Sequence, residues 1–346
     1  MSGVGVPPPG FRPSYDTCLE VNAWCPVAYT TLGYYPNKGV NLFLAIGFAL
    51  AAVSTIFFGV WKRTWGYSIA VAMGCILECA GYVGRYQLGI NPWNGNAFKT
   101  QIVSIVLGPT LICVGLYLTL KHVVSALNPS LSRVPPRVYP LFFVPADVSC
   151  LVIQAIGGGI AASAGRDKLE LLQHGNRVII AGIVLQVVVL GLFGAFSGVY
   201  LVQVRRWIRS GAAEAEGARD GAVALWGNGR FRMFLYAMMG AYSAFLVRCV
   251  YRIAEMAGGW GNHIMQDEPS FVVLESFMVL IGSGLLAAFA PGVFFPQMGR
   301  LYAKKVAAEK GSEEGGQGRE QVVVGGVKGI VIRGRMRRLL VPEGVT

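Results

Sequence analysis

Residues 231–256 read FRMFLYAMMGAYSAFLVRCVYRIAEM, an apolar run that carries Arg248, Arg252 and Glu255 in its second half. A helix rises about 1.5 Å per residue, so about 20 apolar residues cross a hydrocarbon core of roughly 30 Å. Positions i, i+4 and i+7 share one helical face, so the three ionisable residues form a stripe rather than a scatter. Each charge at membrane depth costs at least about 2.5 kcal/mol unless it is paired or hydrated, so by default the stripe marks a buried functional site.

Six further runs resemble the first, at residues 40–60, 64–84, 101–124, 139–164, 177–204 and 271–295. Only 14% of the 346 residues are charged and 54% are hydrophobic, whereas a soluble domain carries about 25% charged residues. The chain therefore reads as an all-α membrane protein with seven transmembrane helices. Residues 1–39 are expected to form an extracellular N-terminal segment, residues 40–296 the transmembrane domain, and residues 297–346 a basic, disordered cytoplasmic tail. The N-terminal segment is polar, with Pro7, Pro8 and Pro9, and lacks the apolar run of a cleavable signal, so the first span is expected to act as an uncleaved anchor.

Lys and Arg counts set the orientation. With the N-terminus outside and the C-terminus in the cytoplasm, the inner segments hold twenty-one basic residues and the outer ones seven. The net charge of +12 follows this asymmetry, and nucleic acid is not an expected partner. No phosphate-binding glycine loop or dinucleotide fingerprint occurs. Only His122, His174 and His263 are present, at span ends or in loops, and no G-x-S-x-G elbow exists, so neither a metal centre, a cofactor nor an enzyme is expected.

Cys18 and Cys25 fall in the outer N-terminal segment, where a disulfide and two free thiols are both compatible with their spacing. Cys75, Cys79, Cys113, Cys150 and Cys249 fall within spans and read as small packing residues. Pro109 and Pro145 are expected to kink the third and fourth helices and free backbone carbonyls. Gly47 with Ala51, Gly157 with Ala161, and Gly194 with Gly198 have the spacing of close helix packing. In the tail, residues 328–340, KGIVIRGRMRRLL, suit either a solvated segment or adsorption on anionic lipid.

The expected topology places further polar residues within the bilayer. Glu78, Tyr82 and Arg85 lie on one face near the outer end of the second helix, and Glu275 lies early in the seventh. Asp147 lies deeper in the fourth helix, Gln154 two turns further out, and Gln186 near the middle of the fifth. Four acidic groups (Glu78, Asp147, Glu255, Glu275) stand against Arg85, Arg248 and Arg252, and pairing across helices lowers the burial cost. Such pairs serve either helix register or a binding site; the convergence of several helices at similar depth favours a site.

The order of these motifs resembles the RTA-like family of fungal membrane proteins, also called lipid-translocating exporters, over roughly residues 30–296. The resemblance rests on Glu78-Cys-Ala-Gly-Tyr-Val-Gly-Arg85, and on Asp147-Val-Ser-Cys-Leu-Val-Ile-Gln154 followed by Gly157, Gly158 and Gly159. It continues through Gly182, Gln186, Arg248-Cys-Val-Tyr-Arg-Ile-Ala-Glu255, Gly258 and Glu268. Two positions depart from the family pattern: Glu275 replaces the usual Asp, and Ala290-Pro291-Gly292 stands where His-Pro-Gly is usual. The resemblance implies a multi-pass protein of the plasma membrane or internal membranes that exports amphiphilic lipids such as sphingoid long-chain bases, or confers resistance to sterol-like amphiphiles. Its expected partners are membrane lipids and amphiphilic small molecules. A seven-helix sensor of lipid stress is the alternative reading; the chain lacks the Asp-Arg-Tyr and Asn-Pro-x-x-Tyr motifs of a conventional G-protein-coupled receptor.

Overall fold

A computed structural model describes residues 13–15, 17–164, 169–210, 220–259 and 261–295, and the backbone of 321–324 and 327–330. Seven helices are long and apolar enough to cross a membrane. They are α1 (Lys38–Lys62), α2 (Trp65–Ile90), α3 (Gly95–Ala126), α4 (Val138–Ala164), α5 (Leu169–Arg209), α6 (Gly229–Ala257) and α7 (Glu268–Phe294). The protein is thus an integral, multi-pass membrane protein. All seven expected spans are present, with α2, α3 and α5 extended by a turn or more beyond the apolar run and α1 by two residues at each end. The extensions follow capping: the Asn37 side chain accepts from the backbone N–H groups of Gly39 and Val40, and the Asn94 side chain from that of Ala97.

Polarity is sorted as lipid demands. On α1, Leu42, Phe43, Ile46, Leu50, Val53 and Phe57 face outward, whereas Asn41, Leu44, Phe48, Ala52 and Thr55 are buried. A continuous apolar surface of this kind belongs in hydrocarbon. Trp61, Lys62, Arg63 and Trp65 cluster at the α1–α2 turn, with the Lys62 ammonium 4.1 Å from the Trp61 ring centroid, the composition of a membrane-interface anchor.

Neighbours in sequence pack side by side from α1 to α7, and α1 also closes against α7 while α3 touches α6. The α2–α3 contact is close because α2 presents glycines to it. A Cβ on Gly74 would stand 2.6 Å from the Gly108 carbonyl oxygen, and one on Gly84 2.9 Å from that of Ala97. Gly157 meets Gly175 of α5 in the same way, and Gly194 packs on Tyr242, but Gly198 has nothing within 4 Å. The helices α3 and α4 continue unbroken through Pro109 and Pro145. In α7, by contrast, residues Val272–Phe277 form a π-helical turn, and the helix is interrupted at Phe289 before the short Pro291–Phe294 turn.

The N-terminal segment docks on the α2–α3 loop. A disulfide joins Cys18 to Cys25, the Trp93 indole donates to the Cys25 carbonyl at 2.9 Å, and Asn91 donates to the Leu19 carbonyl at 2.7 Å. Beyond α5, a short helix spans Asp220–Gly227. The expected connector residues 211–219 lie outside the described residues. So does the tail from 296 onward apart from one antiparallel hairpin, Gln321–Val324 with Val327–Ile330. This hairpin places β-branched valines on both sides of Gly325-Gly326, a two-residue hairpin sequence.

Because the five other cysteines are unpaired, a maleimide-polyethylene glycol shift assay on denatured protein is expected to count two more reactive thiols after reduction than before. Equal counts would contradict the bridge.

Candidate functional site

The polar residues of the core form a ladder along the bundle, built around Gly108-Pro109 of α3. Proline has no N–H, so the Ile105 carbonyl one turn earlier loses its helical partner. Water is unavailable to it inside a bilayer, and the group needs another donor. The partner is Arg248 of α6, whose Nη2 donates to the Ile105 oxygen at 2.9 Å. The same guanidinium donates from Nε to Glu275 Oε1 of α7 at 2.8 Å, with Nη2 2.7 Å from that oxygen. Arg248 is 3% exposed and Glu275 is sealed. One side chain therefore ties α3, α6 and α7 together.

Glu275 sits in the π-helical turn of α7, which buries Glu275 and Ser276 side by side. Turns of this type widen a helix by one residue and recur at functional positions. Glu78 of α2 approaches the same place from the opposite side. It rests on Gly108, where a Cβ would stand 2.6 Å from Glu78 Oε1. The carboxyl group is fully buried, and neither oxygen accepts a hydrogen bond. Glycine thus supplies room for a carboxyl group at the point where proline supplies a carbonyl for a guanidinium.

Above this level, the ladder continues toward the N-terminal segment. Arg252 pairs with Glu255 within α6 at 2.6 Å. Arg85 is not brought to a carboxylate among the described residues, contrary to the expected charge balance. Its Nη2 donates to the Tyr34 hydroxyl at 2.5 Å, its guanidinium lies 4.0 Å from the Phe271 ring centroid, and its Nε has no partner. Tyr34 lies outside the spans, and burial pushes its hydroxyl above the usual range against the lowering influence of Arg85. Glu268, at the start of α7, accepts from the Asn37 backbone N–H at 2.7 Å and so joins the ends of α1 and α7. Tyr82 is buried and stacks on Phe48, with centroids 5.3 Å apart.

On the other side of Gly108, Gln154 of α4 donates to Gln186 of α5 at 3.1 Å, and Gln186 donates to Thr110 of α3 at 3.1 Å. Further along, Tyr117 donates to Asp147 Oδ2 at 2.6 Å while Asp147 Oδ1 has no partner. Pro109, Asp147, Gln186, Phe245 and Cys249 help to line a cavity of about 10 Å3, room for roughly one water. From Arg85 to Glu78 the ladder covers about 10 Å, and from Gly108 to Tyr117 about 14 Å, most of the ~30 Å hydrocarbon thickness.

All ten candidate residues thus lie on one ladder, though not in one pocket. Asp147 and the two glutamines form a level separate from Glu78, Arg248 and Glu275, and Arg252 with Glu255 forms another. Sequence reasoning missed Gly108, Tyr34, Thr110 and Tyr117. The Pro109 position already held a clue, since a buried proline predicts an orphaned carbonyl four residues earlier. No group of three or more potential metal ligands occurs among the described residues.

Residues 71–298 match the family described as RTA1 like protein, and the chain belongs to that family. Among its relatives in Saccharomyces cerevisiae, the sphingoid long-chain base transporter RSB1 is 26% identical over 286 residues, 76% of this chain and 74% of the relative. Protoporphyrin uptake protein 1 is 28% identical over 64% of this chain and 67% of its own length. Protein RTM1 is 27% identical over 68% of this chain and 69% of its own. No solved structure matches.

Replacing Arg248 alone by Leu leaves the Glu275 carboxylate and the Ile105 carbonyl unmet, an expected loss of about 3–5 kcal/mol. In detergent, the Arg248→Leu/Glu275→Leu double variant is expected to melt at a higher temperature than Arg248→Leu. A double variant no more stable than the single one would contradict the pairing.

Proposed function

We propose that this RTA1-like protein translocates amphiphilic lipids bearing a cationic headgroup between the leaflets, with sphingoid long-chain bases as the leading substrate class. The reading is supported most by Glu78, a carboxyl group sealed inside a membrane bundle with neither oxygen satisfied. An unpartnered buried carboxylate is expensive, and an ammonium group supplies the missing donors and charge. Two relatives named as a sphingoid long-chain base transporter and a protoporphyrin uptake protein support small amphiphilic cargo rather than an enzymatic reaction.

In this reading the N-terminus lies outside and the tail in the cytoplasm, so Glu78, Glu255 and Glu275 stand in the outer half and Asp147 nearer the inner leaflet. The headgroup passes along the ladder from Asp147, by way of Gln154 and Gln186, to Glu78, while the alkyl tail stays in lipid. Arg248 and Arg252 hold Glu275 and Glu255 in place, and Tyr82 and Arg85 meet the hydroxyl or anionic part of the headgroup. A cavity of about 10 Å3 excludes any such headgroup, so the described packing is a closed state. Opening on either side falls to the irregular elements beside the ladder, namely Pro109, the π-helical turn and the break at Phe289. The plasma membrane is the proposed site of action.

Purified protein in liposomes is expected to move a labelled sphingoid base without any partner. Glu78→Gln and Asp147→Asn are each expected to slow it about tenfold or more, since a charge-assisted hydrogen bond contributes about 1.5–3 kcal/mol. A wild-type protein that moves no lipid would overturn the reading in favour of a sensor.

A further inference from the structure

Charge accounting around Glu78 leaves one negative charge unanswered. The groups facing it come from three helices besides its own. Helix α3 presents Gly108, which has no side chain. Helix α6 presents Arg248 and Arg252, and α7 presents Glu275. Cys75 and Tyr82 are its titratable neighbours on α2. Both arginines are already engaged, Arg248 with Glu275 and the Ile105 carbonyl, Arg252 with Glu255. Two cations thus answer two carboxylates, and Glu78 is the third carboxyl group.

A buried carboxylate with no hydrogen-bond donor is not stable as a bare anion. It needs a positive occupant. No group of three or more potential metal ligands occurs among the described residues, and both oxygens of Glu78 are enclosed by protein. The occupant that fits without added volume is a proton. When the bundle opens, an ammonium headgroup takes the same carboxylate.

We propose that Glu78 is an exchange site that holds either one proton or one substrate ammonium, so that outward movement of a cationic amphiphile is coupled to inward movement of one proton. The proposal rests on the translocation reading above. On the cytoplasmic side the Glu78 carboxyl group releases its proton to water as the ammonium arrives. On the outer side the ammonium departs and the carboxylate takes a proton from the outer solution. The net charge at Glu78 is the same with either occupant, and a proton gradient, acid outside, drives export.

The test uses the full chain in liposomes with a pH-sensitive dye trapped inside and an N,N,N-trimethyl sphingoid base as the probe. Its fixed charge prevents the probe from carrying a proton itself. Wild-type protein is expected to move one proton against each probe molecule and to accelerate when a pH gradient is imposed. Glu78→Gln is expected to abolish the proton signal, and Glu78→Asp to restore it at a lower rate. Movement of the probe with no proton counterflow and no response to the gradient would overturn the exchange while leaving translocation intact. Infrared spectroscopy of the purified protein reads the occupant without transport: a protonated-carboxyl band present in wild type and removed by Glu78→Gln is expected. Absence of that band would overturn the proposal even if the protein moves lipid.

Discussion

Inside a bilayer every backbone carbonyl must find a donor, and Pro109 deprives Ile105 of its own. The Arg248 guanidinium meets that carbonyl at 2.9 Å while holding Glu275 at 2.7 Å. An arginine at this depth costs several kcal/mol unless its donors are engaged; here a carbonyl and a carboxylate engage it at once. The proline and the arginine are each unfavourable alone. Together they fix the relative position of α3, α6 and α7.

Gly108 brings a second carboxyl group to the junction. Without a Cβ, it admits the Glu78 carboxyl group from α2, and the π-helical turn of α7 admits Glu275 from the other side. Two acidic residues and one arginine consequently share a buried volume. A purely structural pair would need one of each. The surplus carboxyl group is the observation on which the proposed binding role rests, and the cavity at Pro109 and Asp147, about 10 Å3, has room for roughly one water.

Much of this was legible in the residues. Seven apolar runs separated by polar segments can be satisfied only by seven spans, and the 3.6-residue period placed Glu78, Tyr82 and Arg85, and likewise Arg248, Arg252 and Glu255, on common faces. Helix ends were less legible, because capping by Asn37 and Asn94 extends α1 and α3 past their apolar runs. Partner choice was the least legible. Arg85 turns to Tyr34 and Phe271 rather than to a carboxylate, and Glu268 reaches the Asn37 backbone, 231 positions away in sequence. Those pairings depend on how helices dock, which no local pattern encodes. The π-helical turn carries no compositional mark at all.

The claim most exposed to experiment is that the ladder beside Glu78, and not the lipid-facing surface, receives the headgroup. A sphingoid base carrying a photoactivatable group next to its amine, crosslinked to purified protein in liposomes and mapped by mass spectrometry, addresses this directly. The account predicts labelling on peptides containing Glu78, Gly108 or Glu275, suppressed by excess unlabelled base. Labelling confined to outward residues of α1 such as Leu50 and Phe57, and insensitive to competitor, would contradict it.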